Sequence, residues 1–128
     1  MKPGSIQNLM AKLTASVESF HERFGLIGPS TREELLGRIA IQEEETLELH
    51  HAILEETNER IADEASDVLY VAIGTLLRLN PSLAAKALID VIEKNHAKTW
   101  ETHHINAAGK VAPRKTDRGT AISGHDYH

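Results

Sequence analysis

The apolar residues at the start of the chain recur at the spacing of an amphipathic helix. From Ile6 onward they follow one another at steps of three and four residues, which places them on one side of a helix. The residues on this side are Ile6, Leu9, Met10, Leu13, Val17, Phe20 and Phe24. The pattern predicts a first helix that ends near Gly25, followed by a turn over residues 25–30.

A second helix is predicted to begin at Ser30. Ser30 is followed three residues later by Glu33, which is the spacing of a capping box, where a hydroxyl and a carboxylate satisfy backbone N–H groups at the helix start. The apolar residues that continue along this helix are Leu35, Leu36, Ile39, Leu47 and Leu54. The helix is therefore expected to be long and to reach at least Leu54.

A third helix is predicted from about residues 56–58 to Asn80, because Pro81 cannot continue a helix. Its second half is apolar almost all round. A helix of this kind is usually central in its domain, or shared between the core and a subunit interface. We therefore expect a homo-oligomer, either a homodimer or a homotetramer, which assembles through the third and fourth helices.

A fourth helix follows, with Ser82 as its expected cap. Its apolar residues are Leu83, Ala84, Ala87, Leu88, Val91 and Ile92. Beyond Trp100 the periodicity ends, glycines and prolines punctuate a polar tail, and we find no strand signal. The prediction is an all-α fold with a four-helix bundle-like subunit. It divides the chain into a helical domain over residues 1–100 and a polar segment over residues 101–128.

Composition and charge exclude several classes of protein. The net charge of -5 disfavours nucleic-acid binding, which relies on an excess of Lys and Arg, and aromatic residues make up only 4% of the chain. There is no cysteine, and no segment has the length of a membrane span or the pattern of a signal peptide. We expect a cytoplasmic protein that binds neither nucleic acid nor membranes.

Two pairs of acidic residues carry the candidate chemistry. Glu44, Glu45 and Glu48 form an E-E-x-x-E pattern, in which Glu45 and Glu48 lie one turn apart on the same side of the second helix. Glu64 and Asp67 repeat this spacing on the third helix, next to apolar residues. Carboxylates clustered among apolar residues repel one another and are costly to desolvate unless cations compensate them.

A cluster of oxygen ligands without cysteine favours Mg²⁺, with Mn²⁺ as an alternative, over zinc. Such a site on paired helices indicates phosphate-ester or anhydride chemistry. The other interpretation is a solvated acidic face, since glutamate is a good helix former. On that interpretation the chain is a non-catalytic helical interaction protein that binds a basic partner.

The order of the motifs resembles the MazG-like, all-α nucleoside triphosphate pyrophosphohydrolases, a superfamily that also includes dimeric dUTPases and phosphoribosyl-ATP pyrophosphohydrolases. The resemblance covers roughly residues 35–114. Its E-E-x-x-E and E-x-x-D blocks are followed here by N-x-x-K at Asn95 and Lys98, and by a G-K turn at Gly109 and Lys110. Each block alone is a weak indication of the family, but four blocks in this order form a pattern that is fairly specific for it.

The resemblance implies a role for each block. The implied magnesium ligands are Glu45, Glu48, Glu64 and Asp67. Glu44 would be the catalytic residue, which holds a second ion or orients the attacking water. The residues implied to bind the triphosphate group of a nucleotide substrate are Asn95, Lys98 and Lys110. The resemblance also implies that the helical domain over residues 1–100 is catalytic and that the polar segment over residues 101–128 completes or flanks the active site.

The implied reaction is the hydrolysis of a nucleoside or deoxynucleoside triphosphate at its α–β phosphoanhydride, which gives a nucleoside monophosphate and pyrophosphate. The implied role is removal of unwanted nucleotides from the cellular pool. Phosphoribosyl-ATP is the alternative substrate, because enzymes that act on it have a closely similar helical core.

Several other residues that could suggest a site have alternative, structural explanations. His50 and His51 are adjacent, so on a helix they point about 100° apart and cannot both bind one ion. We expect Trp100 to pack at the edge of the core rather than to stack on a base, and Tyr70 to lie in the core or an interface. The basic residues Lys110, Arg114, Lys115 and Arg118 either cover phosphates or belong to a disordered tail.

Overall fold

The computed structural model describes residues 5–115 of the chain. It contains the helices α1 (Ile6–Arg23), α2 (Arg32–Glu55), α3 (Asn58–Leu77) and α4 (Pro81–His96), and the short strands β1 (His103–Ile105) and β2 (Val111–Pro113). The all-α class is therefore confirmed. The chain divides into two compact units with the boundary between Ala85 and Lys86.

The capping box of α2 lies one residue later than predicted. Thr31, not Ser30, is the N-cap: its hydroxyl accepts from the backbone N–H of Glu34 at 3.1 Å, and the Glu34 carboxylate accepts from the N–H of Thr31 at 2.9 Å. Ser30 and Glu33 have the same spacing but do not form the box. The Ser30 N–H instead donates to the carbonyl of Arg78 at 2.7 Å.

The start of α4 also differs from the prediction. The helix begins at Pro81, and the Asn80 side-chain oxygen accepts from the backbone N–H groups of Ser82 and Leu83 at 3.0 and 3.2 Å. Asn80 therefore caps the helix, and Ser82 does not. Proline fits the first turn because it has no N–H to satisfy there and its φ angle already suits a helix.

The expectation that no strand is present was wrong. Strands β1 and β2 pair antiparallel in the second unit, with Ile105 opposite Val111. The turn between them is held by the Asn106 side-chain oxygen, which accepts from the backbone N–H of Ala108 and that of Lys110, both at 3.0 Å. Gly109 adopts φ +82°, a left-handed conformation that glycine reaches without the steric cost of a side chain. Each strand is only three residues long, too short to show an alternating pattern.

Helix α3 is central in the first unit, as its apolar character predicted, because it packs against both α1 and α2. Its contact with α1 includes Tyr70, whose ring meets Phe20 edge-on at 5.9 Å and whose hydroxyl lies 3.2 Å from that of Ser16. Only two apolar residues in the described part of the chain are fully buried, Val17 and Ala52. Many large apolar side chains remain exposed on the single subunit.

Basic side chains lie close together where the three helices of the first unit meet. His21 and Arg78 are each only 6% exposed. Burial lowers the pKa of His21, and the neighbouring charges of Arg38 and Arg78 lower it further. A neutral imidazole is the form that this environment accommodates.

No helix within residues 5–115 combines the length and apolar character required to cross a membrane. The basic cluster of the tail is described only as far as Lys115, and Arg118 lies outside the described residues.

Candidate active site

The register between α2 and α3 is fixed by polar contacts. The Arg38 guanidinium donates from Nε to the Thr75 hydroxyl at 2.8 Å and from Nη2 to the carbonyl of Val71 at 2.9 Å. One turn further along α2, the Gln42 side-chain amide donates to the carbonyl of Val68 at 3.1 Å. These hydrogen bonds bring the acidic segment of α2 opposite the acidic segment of α3.

The result is a cluster of three carboxylates from the two helices. One oxygen from each of Glu45, Glu48 and Glu64 lies within 4.8 Å of the other two. Glu64 is only 5% exposed, although it carries an ionisable group. The Oε2 atoms of Glu45 and Glu64 are buried and accept no hydrogen bond from any described residue. Buried carboxylate oxygens without a donor are unusual, because desolvation without compensation is costly.

The pKa values of two of these residues reflect their surroundings. Burial raises the pKa of Glu45, and the charge of Asp67 raises it further, while a hydrogen bond with Glu48 acts in the opposite direction. Burial is also the main cause that raises the pKa of Glu64, followed by its hydrogen bond with Glu48, whereas the charge of Arg60 opposes the change. The cluster therefore disfavours its own negative charge in the absence of a cation.

These features fit a hard divalent cation. The group found among the described residues consists of carboxylates alone, with no histidine, which is a ligand set suited to Mg²⁺ or Mn²⁺. A cation bound among the three carboxylates would offset the repulsion between them. The metal itself remains a prediction that follows from this arrangement.

The other two predicted acidic residues lie beside the cluster. The charge of Asp67 acts on both Glu45 and Glu64, which places it near the three carboxylates, although its side chain is not one of the converging group. Glu44 lies with Glu48 and Glu64 in the wall of an open cleft of about 490 Å³. The metal role of Asp67 and the catalytic role of Glu44 stay predictions.

The cleft also contains residues that the sequence interpretation missed. Its wall is formed by Glu44, Leu47, Glu48, His51, Glu56, Arg60 and Glu64. Arg60 lies at ion-pair distance from three carboxylates, those of Glu56, Asp63 and Glu64. The spacing of four residues from Glu56 to Arg60 and from Arg60 to Glu64 is a signal that could have identified it.

The three predicted phosphate-binding residues all belong to the second unit. The Asn95 side-chain amide donates to the carbonyl of Val91 at 2.8 Å, one turn earlier on α4. Lys98 is half-buried just beyond this helix, and Lys110 closes the hairpin turn. Their role in holding a triphosphate stays a prediction.

Trp100 does not pack as expected, because its side chain is 69% exposed. Its carbonyl accepts from the Arg114 side chain, through Nε, at 2.6 Å. His103, by contrast, is only 5% exposed, and its Nδ1 lies 2.7 Å from the Thr102 hydroxyl.

The four helices and the paired acidic motifs on α2 and α3 define the class of protein: the chain is a member of the MazG-like, all-α pyrophosphohydrolase superfamily. Within it, residues 27–96 match the family model described as phosphoribosyl-ATP pyrophosphohydrolase, and this match covers more than half of the chain. The chain belongs to this family, whose members are hydrolases that act on acid anhydrides. Searches of curated proteins and of solved structures found no match.

Proposed function

We propose that the protein is a magnesium-dependent nucleotide pyrophosphohydrolase that cleaves an α–β phosphoanhydride and releases pyrophosphate. The observation that carries this proposal is the cluster of Glu45, Glu48 and Glu64, in which two buried oxygens have no hydrogen-bond donor among the described residues. Family membership supports the same reaction class, pyrophosphohydrolysis of nucleotide-like substrates.

Each acidic residue has a proposed part in the reaction. Glu45, Glu48 and Glu64 would hold the cation, with Asp67 as the fourth ligand. Bound Mg²⁺ neutralises phosphate charge and makes water a better nucleophile. The Glu44 carboxylate, which faces the same cleft, would orient the attacking water and accept its proton.

The residues proposed to bind the triphosphate come from the N-x-x-K and G-K blocks. Lys98 and Lys110 would stabilise the negative charge that increases on the phosphate oxygens as the anhydride breaks, and Asn95 would donate a further hydrogen bond. All three belong to the blocks that resemble the family motifs.

Two substrates are to be compared, a nucleoside or deoxynucleoside triphosphate and phosphoribosyl-ATP. The family match favours phosphoribosyl-ATP, and both substrates have the same triphosphate arrangement at the bond that breaks. We expect Mg²⁺-dependent pyrophosphate release from at least one of them. The measurement is kcat/KM for phosphoribosyl-ATP, the four dNTPs, dUTP and the NTPs under identical conditions.

The outcome assigns the role. A kcat/KM for phosphoribosyl-ATP far above those of the other nucleotides would identify phosphoribosyl-ATP as the substrate, and the reverse would indicate removal of nucleotides from the pool. The absence of pyrophosphate from all substrates, with folded protein, would contradict the proposal. It would favour instead a non-catalytic helical interaction protein.

We further propose that the protein is a homo-oligomer, at least a dimer. An open groove of about 700 Å³ between α2 and α3 is lined mainly by apolar side chains, among them Leu35, Leu36, Ile39, Leu76 and Leu79. An apolar surface of this kind on a subunit with so few fully buried residues fits a second copy of the same chain.

Light scattering coupled to size-exclusion chromatography tests this proposal. The wild-type protein is expected to have at least twice the 14.1 kDa mass of one chain. Leu36→Asp places a charge in the groove and is expected to shift the protein toward monomer, whereas Leu36→Met keeps the surface apolar and should leave the mass unchanged. A monomeric wild-type protein would contradict the proposal.

A further inference from the structure

Among residues 5–115, Arg60 is the one Lys or Arg side chain in the wall of the acidic cleft. The described wall contains four glutamates, Glu44, Glu48, Glu56 and Glu64, and one further basic side chain, His51. Arg60 is about half exposed, with 49% of its side chain accessible. It therefore combines a permanent positive charge with access to the space that a substrate would enter.

The contacts of Arg60 give the two oxygens of Glu64 different environments. Arg60 Nη2 donates to Glu64 Oε1 at 2.5 Å, whereas Glu64 Oε2 is buried without a described hydrogen-bond donor. One oxygen is thus held by the guanidinium, and the other is left for a different partner. Arg60 lies directly beside a proposed metal ligand without competing for its second oxygen.

The remaining contacts of Arg60 are easily exchanged. Its Nε lies 3.4 Å from Glu56 and its Nη1 lies 3.2 Å from Asp63, whose side chains are 30% and 63% exposed. Exposed ion pairs contribute little to stability, because water solvates both partners well. A phosphate oxygen can replace either carboxylate at small cost, and a guanidinium presents N–H groups in a planar fork that suits phosphate.

We propose that Arg60 binds a phosphate oxygen of the nucleotide in this cleft while it keeps its contact with Glu64. This inference rests on the proposed function, because it concerns a substrate whose phosphates enter the cleft. It gives the acidic cleft a cation of its own, so a polyphosphate does not depend on the metal alone to offset the four glutamates.

The test separates phosphate binding from metal binding. Arg60→Gln removes the charge, and Arg60→Lys retains it without the fork. Lys86→Gln is the matched control, since Lys86 forms an exposed i,i+4 ion pair with Asp90 on α4 and the change in charge is identical. Two constants are measured for each protein: the Kd for Mn²⁺ without nucleotide, from free Mn²⁺ by electron paramagnetic resonance, and the Kd for pyrophosphate in the Mn²⁺-loaded protein.

Arg60→Gln is expected to weaken pyrophosphate binding by roughly tenfold, because a charge-assisted hydrogen bond is lost, and to change the Mn²⁺ Kd much less. Arg60→Lys should recover part of the pyrophosphate affinity, and Lys86→Gln should match the wild type in both constants. Circular dichroism confirms that each variant is folded.

Two results would overturn the inference while the metal centre stands. In the first, Arg60→Gln weakens Mn²⁺ binding and leaves pyrophosphate affinity unchanged, which would mean that Arg60 only orients Glu64. In the second, both constants remain at the wild-type values. Failure of the wild-type protein to bind Mn²⁺ at all is a different result, which would overturn the proposed metal centre and this inference with it.

Discussion

Glu48→Gln is expected to lower kcat/KM by at least about 100-fold and to leave the protein folded. Glu48 contributes one of the three converging oxygens, and it interacts with both Glu45 and Glu64. Glutamine has nearly the same shape but carries no charge, so it is a poor ligand for a hard cation. The main effect should therefore be on the metal centre and not on packing.

A stability measurement distinguishes this effect from unfolding. In the presence of chelator, the Tm of Glu48→Gln should equal or exceed that of the wild type, because one of three mutually repelling carboxylates has been removed. Addition of Mg²⁺ should raise the Tm of the wild type, since a ligand that binds only the folded state stabilises it, and should have little effect on the variant.

Glu43→Gln provides the matched control for charge. Glu43 lies on the same helix and is exposed, but it does not belong to the three-carboxylate cluster. The Glu43→Gln variant should retain both turnover and the Mg²⁺-induced rise in Tm. Wild-type turnover in Glu48→Gln would refute the assignment of this residue as a metal ligand.

Gly74→Ala is expected to lower the free energy of unfolding by about 1–2 kcal/mol, although alanine is normally the better helix former. Gly74 lies in α3 beneath the basic side chains at the junction of the helices. A Cβ atom there would come within 2.6 Å of Arg38 Nη2 and 2.8 Å of His21 Nε2. The Arg38 side chain cannot yield freely, because its hydrogen bonds to Thr75 and Val71 fix the register of α2 against α3.

Gly37→Ala is the control for helix propensity. Gly37 lies in α2, and a Cβ atom there would meet no atom of the described residues within 4 Å other than the backbone of its own helix. That variant should be stabilised by up to about 1 kcal/mol, because the change removes backbone entropy from the unfolded state without a steric cost. The two variants are compared by urea unfolding, and equal stabilisation of both would contradict the close packing over Gly74.

The sequence was sufficient to predict the helices because their signals are strong. The apolar spacing in α1, the apolar second half of α3 and the proline after it all have direct physical consequences for the chain. The N-cap residue of α2 does not follow from the motif alone, because Ser30 with Glu33 and Thr31 with Glu34 match the same motif one residue apart. Only the path of the preceding turn decides between them.

The hairpin and the exposure of Trp100 were missed for a different reason. Strands of three residues have no detectable alternation, and the hairpin turn depends on hydrogen bonds from Asn106 that leave little trace in composition. Whether an aromatic side chain is covered depends on neighbours distant in sequence, and pattern analysis does not supply them.

Only part of the candidate site follows from helical spacing in the sequence. Helical spacing placed Glu45 with Glu48, and Glu64 on the following helix, but the convergence of Glu64 with the first pair required the register set by Arg38 and Gln42. Arg60 was overlooked because a single arginine among acidic residues on a helix is usually a solvated ion pair. Its position in the wall of the cleft is known only from the folded structure.

The proposed reaction can be followed by ³¹P nuclear magnetic resonance of the products formed from phosphoribosyl-ATP and from a dNTP panel, with Mg²⁺ and with chelator. With Mg²⁺, the wild-type protein should convert at least one substrate to its monophosphate and pyrophosphate, and chelator should stop the conversion. Release of orthophosphate instead, or the same rate of pyrophosphate release in chelator, would contradict the proposed magnesium-dependent pyrophosphohydrolysis.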